Sequence, residues 1–297
     1  MRKIIIITGM TASGKSGLAI DIAKKYNGEI ISADSVQIYR GLDIGSAKEP
    51  IESRREIPHH LIDIVDTLDS YNVGSFISDC TQSIKDIVSR GKLPIIVGGT
   101  GLYIKALLEG YSLGNAEKHE DFRMHYQEMA KREGNQAVWQ ELNKLNPNLA
   151  SSVHYNNLKR VIRYLEISTF GETGENMPSI LEDYDVCAVG IIDDRATIYE
   201  RINKRVDDML ESGLENEITR LIKIGANRDS QSMNSIGYKE WFDYFDGKID
   251  KSRTIELIKQ HTRNYCKRQL TFMKTIKGLD LLDLESAKNK IKEFLND

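Results

Sequence analysis

An α/β fold on a parallel sheet, interrupted by one helical insertion, is predicted by three features of this sequence. Short unbroken runs of β-branched residues alternate with segments of helical spacing. The first such run leads straight into "GMTASGKS" (9 to 16), the Gly-x-x-x-x-Gly-Lys-Ser spacing of a phosphate-binding loop. The strand pattern then disappears between roughly 113 and 182 and resumes afterwards.

Taken in order, "KIIIIT" (3 to 8) is too short for a helix and reads as a strand buried on both faces. The loop follows, then a helix from about Gly14 that places Leu18, Ile22 and Tyr26 on one face and stops at Asn27-Gly28. "EIISAD" (29 to 34) is the next strand and completes a βαβ unit. "SFISDCTQSIKDIVSRG" (75 to 91) has helical spacing, "LPIIV" (93 to 97) is another buried strand, and "GGTG" (98 to 101) opens a further helix. "DVCAVGII" (185 to 192) is a strand, and "LDLLDL" (279 to 284) reads as the last. The segment between consists of polar helical patterns such as "DFRMHYQEMAKR" and "NNLKRVIRYLEIST". The expected architecture is a P-loop NTPase-like parallel-sheet core (1 to 112), a helical insertion (113 to 182), and a part completing the core with C-terminal basic helices (183 to 297).

The 297 residues suffice for such a core plus one appended unit, and the net charge of −3 favours no class of partner by itself. Cys80, Cys187 and Cys266 lie far apart and read as packing residues. The apolar run Ile4 to Ile7 is too short for a signal peptide, and no stretch approaches the ~18 to 20 apolar residues of a membrane span, so a cytoplasmic location is expected.

In a phosphate loop, backbone N–H groups turn inward at a helix start, and the helix dipole and a lysine add positive charge. Lys15 is therefore expected to reach the phosphates and the Ser16 hydroxyl to hold Mg²⁺. Four fixed positions coincide by chance in about one chain in a hundred of this length, and here they also fall between a strand and a helix. The loop alone does not distinguish a nucleoside triphosphate from another phosphate ligand.

Asp34 ends a strand at the edge where open α/β sheets bind ligands. It could coordinate metal, take a proton from a nucleophile, or simply cap the next turn. Thr100, in "GGTG", faces the same edge. "LPIIVGG" ends without the Asp of a Walker-B strand, which weakens a motor or switch reading. "PHHLIDI" lacks the spacing of a helical zinc site, so His59 and His60 are assigned to turn and packing roles. From Lys251 to Lys277 there are eight Lys or Arg and one Glu. Lys259, Arg263, Lys267 and Lys274 form a stripe beside an apolar face, and Lys159, Arg160 and Arg163 cluster in the insertion. Two basic clusters in a net-negative chain favour a large anionic partner, although a basic stripe can also be only a solvated face.

These blocks resemble those of the tRNA dimethylallyltransferases, also called tRNA isopentenyltransferases. "EIISADSVQIYRGLDIGSAK", "HHLIDI", "LPIIVGGTGLYIKALLEG", "LKRVIRYLEI", "RINKRVDDML", "SIGYKE" and "TRNYCKRQLTF" follow the family's order over nearly the whole chain. The resemblance implies transfer of a dimethylallyl group from dimethylallyl diphosphate to N6 of the adenosine just 3′ of a tRNA anticodon, with release of pyrophosphate. It implies that Gly9, Met10, Thr11, Ala12, Ser13, Gly14, Lys15 and Ser16 grip the diphosphate with Mg²⁺ at Ser16. Asp34 would be general base, Thr100 would bridge amine and pyrophosphate, and Lys15 would stabilise the leaving group. Ser35, Val36 and Gln37 would touch the anticodon loop together with Asp34 and Thr100. On the insertion Arg123, Lys159, Arg160, Val161, Ile162 and Arg163 would contact tRNA, joined by Arg263, Lys267, Arg268 and Gln269 of the basic helix. Met10 stands where the family usually has proline, with little effect expected on the chemistry. Eukaryotic relatives carry an extended C-terminal zinc-finger region that does not follow Asp297 here, so a bacterial-type enzyme is expected, and a monomer is expected as well. The competing readings are a transferase acting on free adenine nucleotides, a small-molecule kinase, and a non-catalytic RNA- or nucleotide-binding module.

Overall fold

The computed structural model describes residues 2–110, 119–171 and 179–296. Residues 113–118 and 172–178 of the expected insertion lie outside the described residues. The chain divides into two compact units, Met1–Glu109 with Ser179–Asp297, and Gly110–Pro178. The second unit therefore ends before 182. Ser179 donates a 2.6 Å hydrogen bond to the Leu107 carbonyl, and Leu181 is buried in the core of the first unit.

In the first unit the strands are β1 (Arg2–Gly9), β2 (Gly28–Ser32), β3 (His59–His60), β4 (Leu93–Gly98), β5 (Tyr184–Ile191) and β6 (Asp280–Leu282). They form one sheet of order β3-β2-β4-β1-β5-β6 in which every pairing is parallel. The isoleucine run of β1 explains the central position. Because side chains alternate along a strand, Ile4 and Ile6 enter one core with Ile31 and Ile96, while Ile5 and Ile7 enter the other with Ile30 and Ile95. Burial of each such side chain contributes about 1.5–3 kcal/mol, and only a strand covered on both faces collects it at every position.

Helices α1 (Lys15–Lys25) and α13 (Leu284–Asn296) cover one face, the second through Ala287 and Ile291. The other face is covered by α3 (Val73–Ser89) and α4 (Gly101–Glu109), whose Phe76 and Tyr103 rings stack at 4.1 Å. Also in this unit are α2 (Ile51–Glu56), α9 (Arg195–Glu211), α10 (Leu214–Lys223), α11 (Trp241–Phe245) and the long α12 (Lys251–Met273). The three cysteines are free and buried, as packing residues should be. No helix among the described residues is long and apolar enough to cross a membrane.

Two details go beyond the sequence reading. β1 and β2 belong to one sheet, but β4 lies between them, so the phosphate loop and Asp34 flank the "GGTG" turn. The two histidines, expected in turn and packing roles, form an edge strand. His60 Nε2 lies 2.7 Å from Glu29 Oε2, where Glu29 is also held by Arg90 and Lys92.

The second unit is a helical bundle of α5 (Glu120–Glu133), α6 (Asn135–Leu145), α7 (Pro147–Ser151) and α8 (Leu158–Phe170). Its apolar core is built from Val138, Leu142, Ala150, Val161, Ile162 and Leu165. Beside that core Glu166 is fully buried, and it accepts hydrogen bonds from Arg123 Nε (2.9 Å) and Nη2 (2.6 Å), Arg163 Nη1 (2.7 Å) and the His119 N–H (2.8 Å). Burial by itself would raise the Glu166 carboxyl, but these donors outweigh it and hold it at about 2. A carboxyl lowered by folding stabilises the folded state above its ordinary value of 4.5 and loses that contribution as pH falls towards 2. Glu166→Gln should therefore destabilise this unit by about 3–5 kcal/mol, since it leaves Arg123 and Arg163 without their buried countercharge. Amide exchange over 119–171 should rise accordingly, and the variant should lose the wild type's extra acid sensitivity between pH 4.5 and 2.

Candidate active site

The phosphate loop is built from the end of β1 to the start of α1. Gly14 sits at the helix N-cap with φ 87°, a left-handed conformation that a side chain disfavours. Met10 N–H donates to the Ile191 carbonyl (3.3 Å), Ser13 N–H to the Met10 carbonyl (3.2 Å), and Thr11 N–H to Gln269 Oε1 (2.9 Å). Three amides of the loop are thus spent on its own shape. Those of Gly14, Lys15 and Ser16 open the helix, where N–H groups lack intrahelical acceptors. Met10 is buried against Ile198, Ile202, Cys266 and Met273, so neither its side chain nor its N–H is available to a diphosphate. It anchors the loop to α9 and α12. The Ser13 hydroxyl is buried and, among the described residues, has no hydrogen-bond partner, an unmet polar group inside the phosphate loop.

Lys15 Nζ lies 3.3 Å from the Met10 carbonyl and turns into a small pocket of about 90 Å³ that Ser16, Asp34, Glu49 and His59 also line. Arg205 of α9 enters the same pocket, and sequence reasoning did not single it out. A signal was present: Ile198, Ile202, Arg205 and Met209 follow the i, i+4, i+7, i+11 spacing of one helix face, which puts a cation on the buried stripe. Burial, and next the Arg205 charge, bring the Lys15 ammonium down to about 8, with Asp34 pulling the other way. Burial lowers Arg205 too, opposed by Asp34 and Glu49. Both shifts have the same leading cause, the removal of a cation from water.

The two oxygens of Asp34 are in different situations. Its Oδ1 accepts from Val36 N–H (2.9 Å) and Gln37 N–H (3.3 Å), capping the following turn as one of the sequence alternatives held. Among the described residues no hydrogen bond reaches Oδ2, so the cap orients a carboxylate whose second oxygen can take a proton. Thr100 stands beside it, accepting from Ser35 N–H at 3.0 Å and donating to Ser35 Oγ at 3.3 Å. A second cavity of about 460 Å³ adjoins, lined by Asp34, Ser35, Val36, Tyr265 and Arg268 and walled by apolar residues of α9 and α12. The two spaces share Thr11, Asp34, Ser46 and Arg205.

Several of the expected RNA contacts are used differently. Gln269 is buried and its amide links two loops, accepting from Thr11 N–H and donating to the Gly99 carbonyl (2.9 Å), so it holds the phosphate loop against the Thr100 turn. The Gln37 amide donates to the Ser46 and Ala47 carbonyls (3.3 Å each) and accepts from Ser32 Oγ. Arg263 donates to Asn203 Oδ1 (2.6 Å) and Lys259 pairs with Asp207, both on α9, whereas Lys267 and Arg268 are exposed. In the helical unit Val161 and Ile162 point into its core and cannot meet RNA, because the apolar face of α8 is what folds the unit. Arg123 and Arg163 are engaged by Glu166, Arg160 bonds Tyr164 Oη at 2.9 Å, and Lys159 is exposed. Arg160 and Arg163, which cluster in the sequence, therefore have different partners.

Among the described residues no group of three or more His, Cys, Asp or Glu is placed to hold a metal ion. The oxygen donors around Lys15 (Ser16, Asp34 and Glu49) suit Mg²⁺, which keeps most of its waters and takes the rest of its shell from a phosphate ligand.

A family model described as IPP transferase matches residues 37–276, and one described as isopentenyl transferase matches residues 2–57. A tRNA dimethylallyltransferase of Exiguobacterium sp. is 46% identical over 271 residues, covering 91% of this chain and 87% of that one. One of Lactococcus lactis subsp. lactis is 42% identical over 300 residues and covers 99% of both chains. The structure of the full-length tRNA isopentenylpyrophosphate transferase of Bacillus halodurans matches with a TM-score of 0.74 and 39% identity, covering 100% of this chain and 96% of that one. A eukaryotic dimethylallyltransferase acting on tRNA matches with a TM-score of 0.80 and 32% identity, over 95% of this chain and 74% of that one. With a phosphate loop, an oriented carboxylate and a family match across most of its length, this chain belongs to the tRNA dimethylallyltransferase (IPP transferase) family.

Proposed function

We propose that this protein transfers the dimethylallyl group of dimethylallyl diphosphate to N6 of the adenosine 3′-adjacent to the anticodon in tRNA, releasing pyrophosphate. The observation that carries the reading is the meeting of two pockets at Asp34. A cationic one is sized for phosphate, and the larger, partly apolar one can receive a base and a prenyl group. The C1–O bond of the allylic diphosphate breaks and its electron pair leaves with pyrophosphate, which Lys15, Arg205 and the helix N-terminus stabilise. N6 attacks C1, and its proton passes to Asp34 Oδ2. The buried apolar wall keeps water from the allylic carbon. Bound Mg²⁺, held at Ser16, would add charge neutralisation on the diphosphate. Thr100 and Ser35 fix the edge along which the amine approaches. The target base must leave its stack to enter the cavity, and exposed Lys159, Arg160, Lys267 and Arg268 supply phosphate contacts for the RNA that presents it. We also propose that the enzyme acts in the cytoplasm, where its tRNA substrate is found, and as a monomer.

The direct test offers labelled dimethylallyl diphosphate with total tRNA and AMP as rival acceptors. Label must appear in tRNA, and preferential labelling of AMP would transfer the protein to the free-nucleotide class. Lys15→Ala should nearly abolish turnover and leave tRNA affinity intact, because the lost charge acts on the leaving group. A parallel loss of tRNA binding would mean that the loop serves the RNA instead.

Asp34→Asn should lower the single-turnover rate by roughly 10² to 10⁴, as for a lost general base, while diphosphate binding persists. Asparagine can still cap the turn through its Oδ1, so an unchanged rate would leave Asp34 with the capping role only.

Replacing Lys159, Arg160 or Lys267 by Ala should weaken tRNA binding and reduce the slope of log K against log salt by about one counterion equivalent per contact. The affinity for dimethylallyl diphosphate should stay unchanged in all three, and salt slopes identical to wild type would make these residues a solvated face.

A further inference from the structure

Glu217 lines neither pocket, yet its carboxylate is fully buried and completely occupied. Its Oε2 accepts from Asp43 N–H (3.0 Å) and Ile44 N–H (2.7 Å), and its Oε1 from Gly45 N–H (3.2 Å) and Tyr238 Oη (2.7 Å). Four donors fill the four lone-pair positions of a carboxylate. Three of them are consecutive backbone amides, which converge only when the loop curls around an anion. Here the anion is a side chain of α10. Tyr238 closes the arrangement from the other side. A Cβ on Gly45 would fall 2.6 Å from its ring, so the loop and the tyrosine fit together only with glycine there. Burial, reinforced by the Glu217 charge, pushes the Tyr238 phenol well above its ordinary value, so it stays a donor throughout the working pH range.

What this clamp holds is one wall of the larger cavity. Gly45 and Ser46 line it, as do Ser235, Ile236 and Gly237, next to Tyr238 in the chain. The Ser46 and Ala47 carbonyls orient the Gln37 amide, and Gln37 N–H in turn bonds Asp34 Oδ1. An unbroken set of hydrogen bonds therefore runs from Glu217 through the 43–47 loop and Gln37 to Asp34.

We propose that Glu217 and Tyr238 are positioning residues for the acceptor side of the site, setting the loop and the Gln37–Asp34 turn against which the adenosine is placed. The proposal rests on the prenyl-transfer reading given above. Tyr238→Phe keeps the ring against Gly45 and removes only the phenolic donor. Glu217→Gln keeps the shape but points an amide N–H₂ at backbone donors. Tyr238→Phe should raise the KM for tRNA about tenfold, the scale of one hydrogen bond to a charged group, and leave the KM for dimethylallyl diphosphate within about twofold. Glu217→Gln should do more in the same direction. In the absence of substrate, amide exchange over 42–47 and 34–37 should quicken in both variants, with the melting temperature of Tyr238→Phe close to wild type.

Both KM values rising together with a lower melting temperature would reduce the pair to a general structural role. Unchanged exchange over 42–47 would remove the clamp altogether. A wild-type enzyme that fails to prenylate tRNA would overturn the functional reading instead, and the exchange comparison would still decide whether the clamp exists.

Discussion

Lys15 and Arg205 line one pocket at the end of the sheet, and much of the fold exists to keep them there. Drawing each cation out of water destabilises it, and Lys15 also feels the Arg205 charge, so both are easier to deprotonate than in solution. Asp34 offsets part of that strain from within the site, with one oxygen committed to backbone amides. A bound diphosphate would place further negative charge beside both cations. The binding energy thereby gained is largest where the leaving group carries most charge, which is the requirement for accelerating ionisation of an allylic diphosphate.

Holding these groups depends on the sheet. The loop that carries Lys15 hangs from β1, the turn that carries Thr100 from β4, and Asp34 follows β2, three adjacent parallel strands that end on one edge. Backbone bonds between the three connections, such as Ala33 N–H to the Val97 carbonyl and Thr100 N–H to the Ala33 carbonyl, set their spacing. α12 then crosses the edge and pins two of the loops with a single amide, that of Gln269. A neutral side chain suits that task, because an extra charge there would disturb the balance around Lys15.

The same economy of polar groups appears away from the chemistry. Glu217 in the first unit and Glu166 in the second are buried carboxylates whose oxygens are all engaged, one by backbone amides and a phenol, the other by arginines and an amide. Buried charge of this kind contributes little net stability over a well-packed apolar core, but it penalises every arrangement in which the donors go unmatched. That selects one loop conformation beside the site and one helix packing in the helical unit.

The sequence by itself determined the local features: the isoleucine strands, the phosphate loop between strand and helix, the helical segment in mid-chain, and Asp34 and Thr100 at strand ends. Each is written in a contiguous stretch, through periodicity 2 or 3.6 or through glycine spacing, so neighbouring residues suffice to read it. Only the tertiary structure decided the strand order that seats β4 between β1 and β2, the two-residue edge strand at His59–His60, and the entry of Arg205 into the phosphate pocket. It also decided that Gln269, Arg123 and Arg163 serve protein partners and that Val161 and Ile162 serve a core. A charged or amide side chain looks the same in sequence whether it meets RNA, a carboxylate or a backbone carbonyl. Its use is decided by which donors and acceptors folding has left unpaired within about 3 Å, and those come from segments far away in the chain.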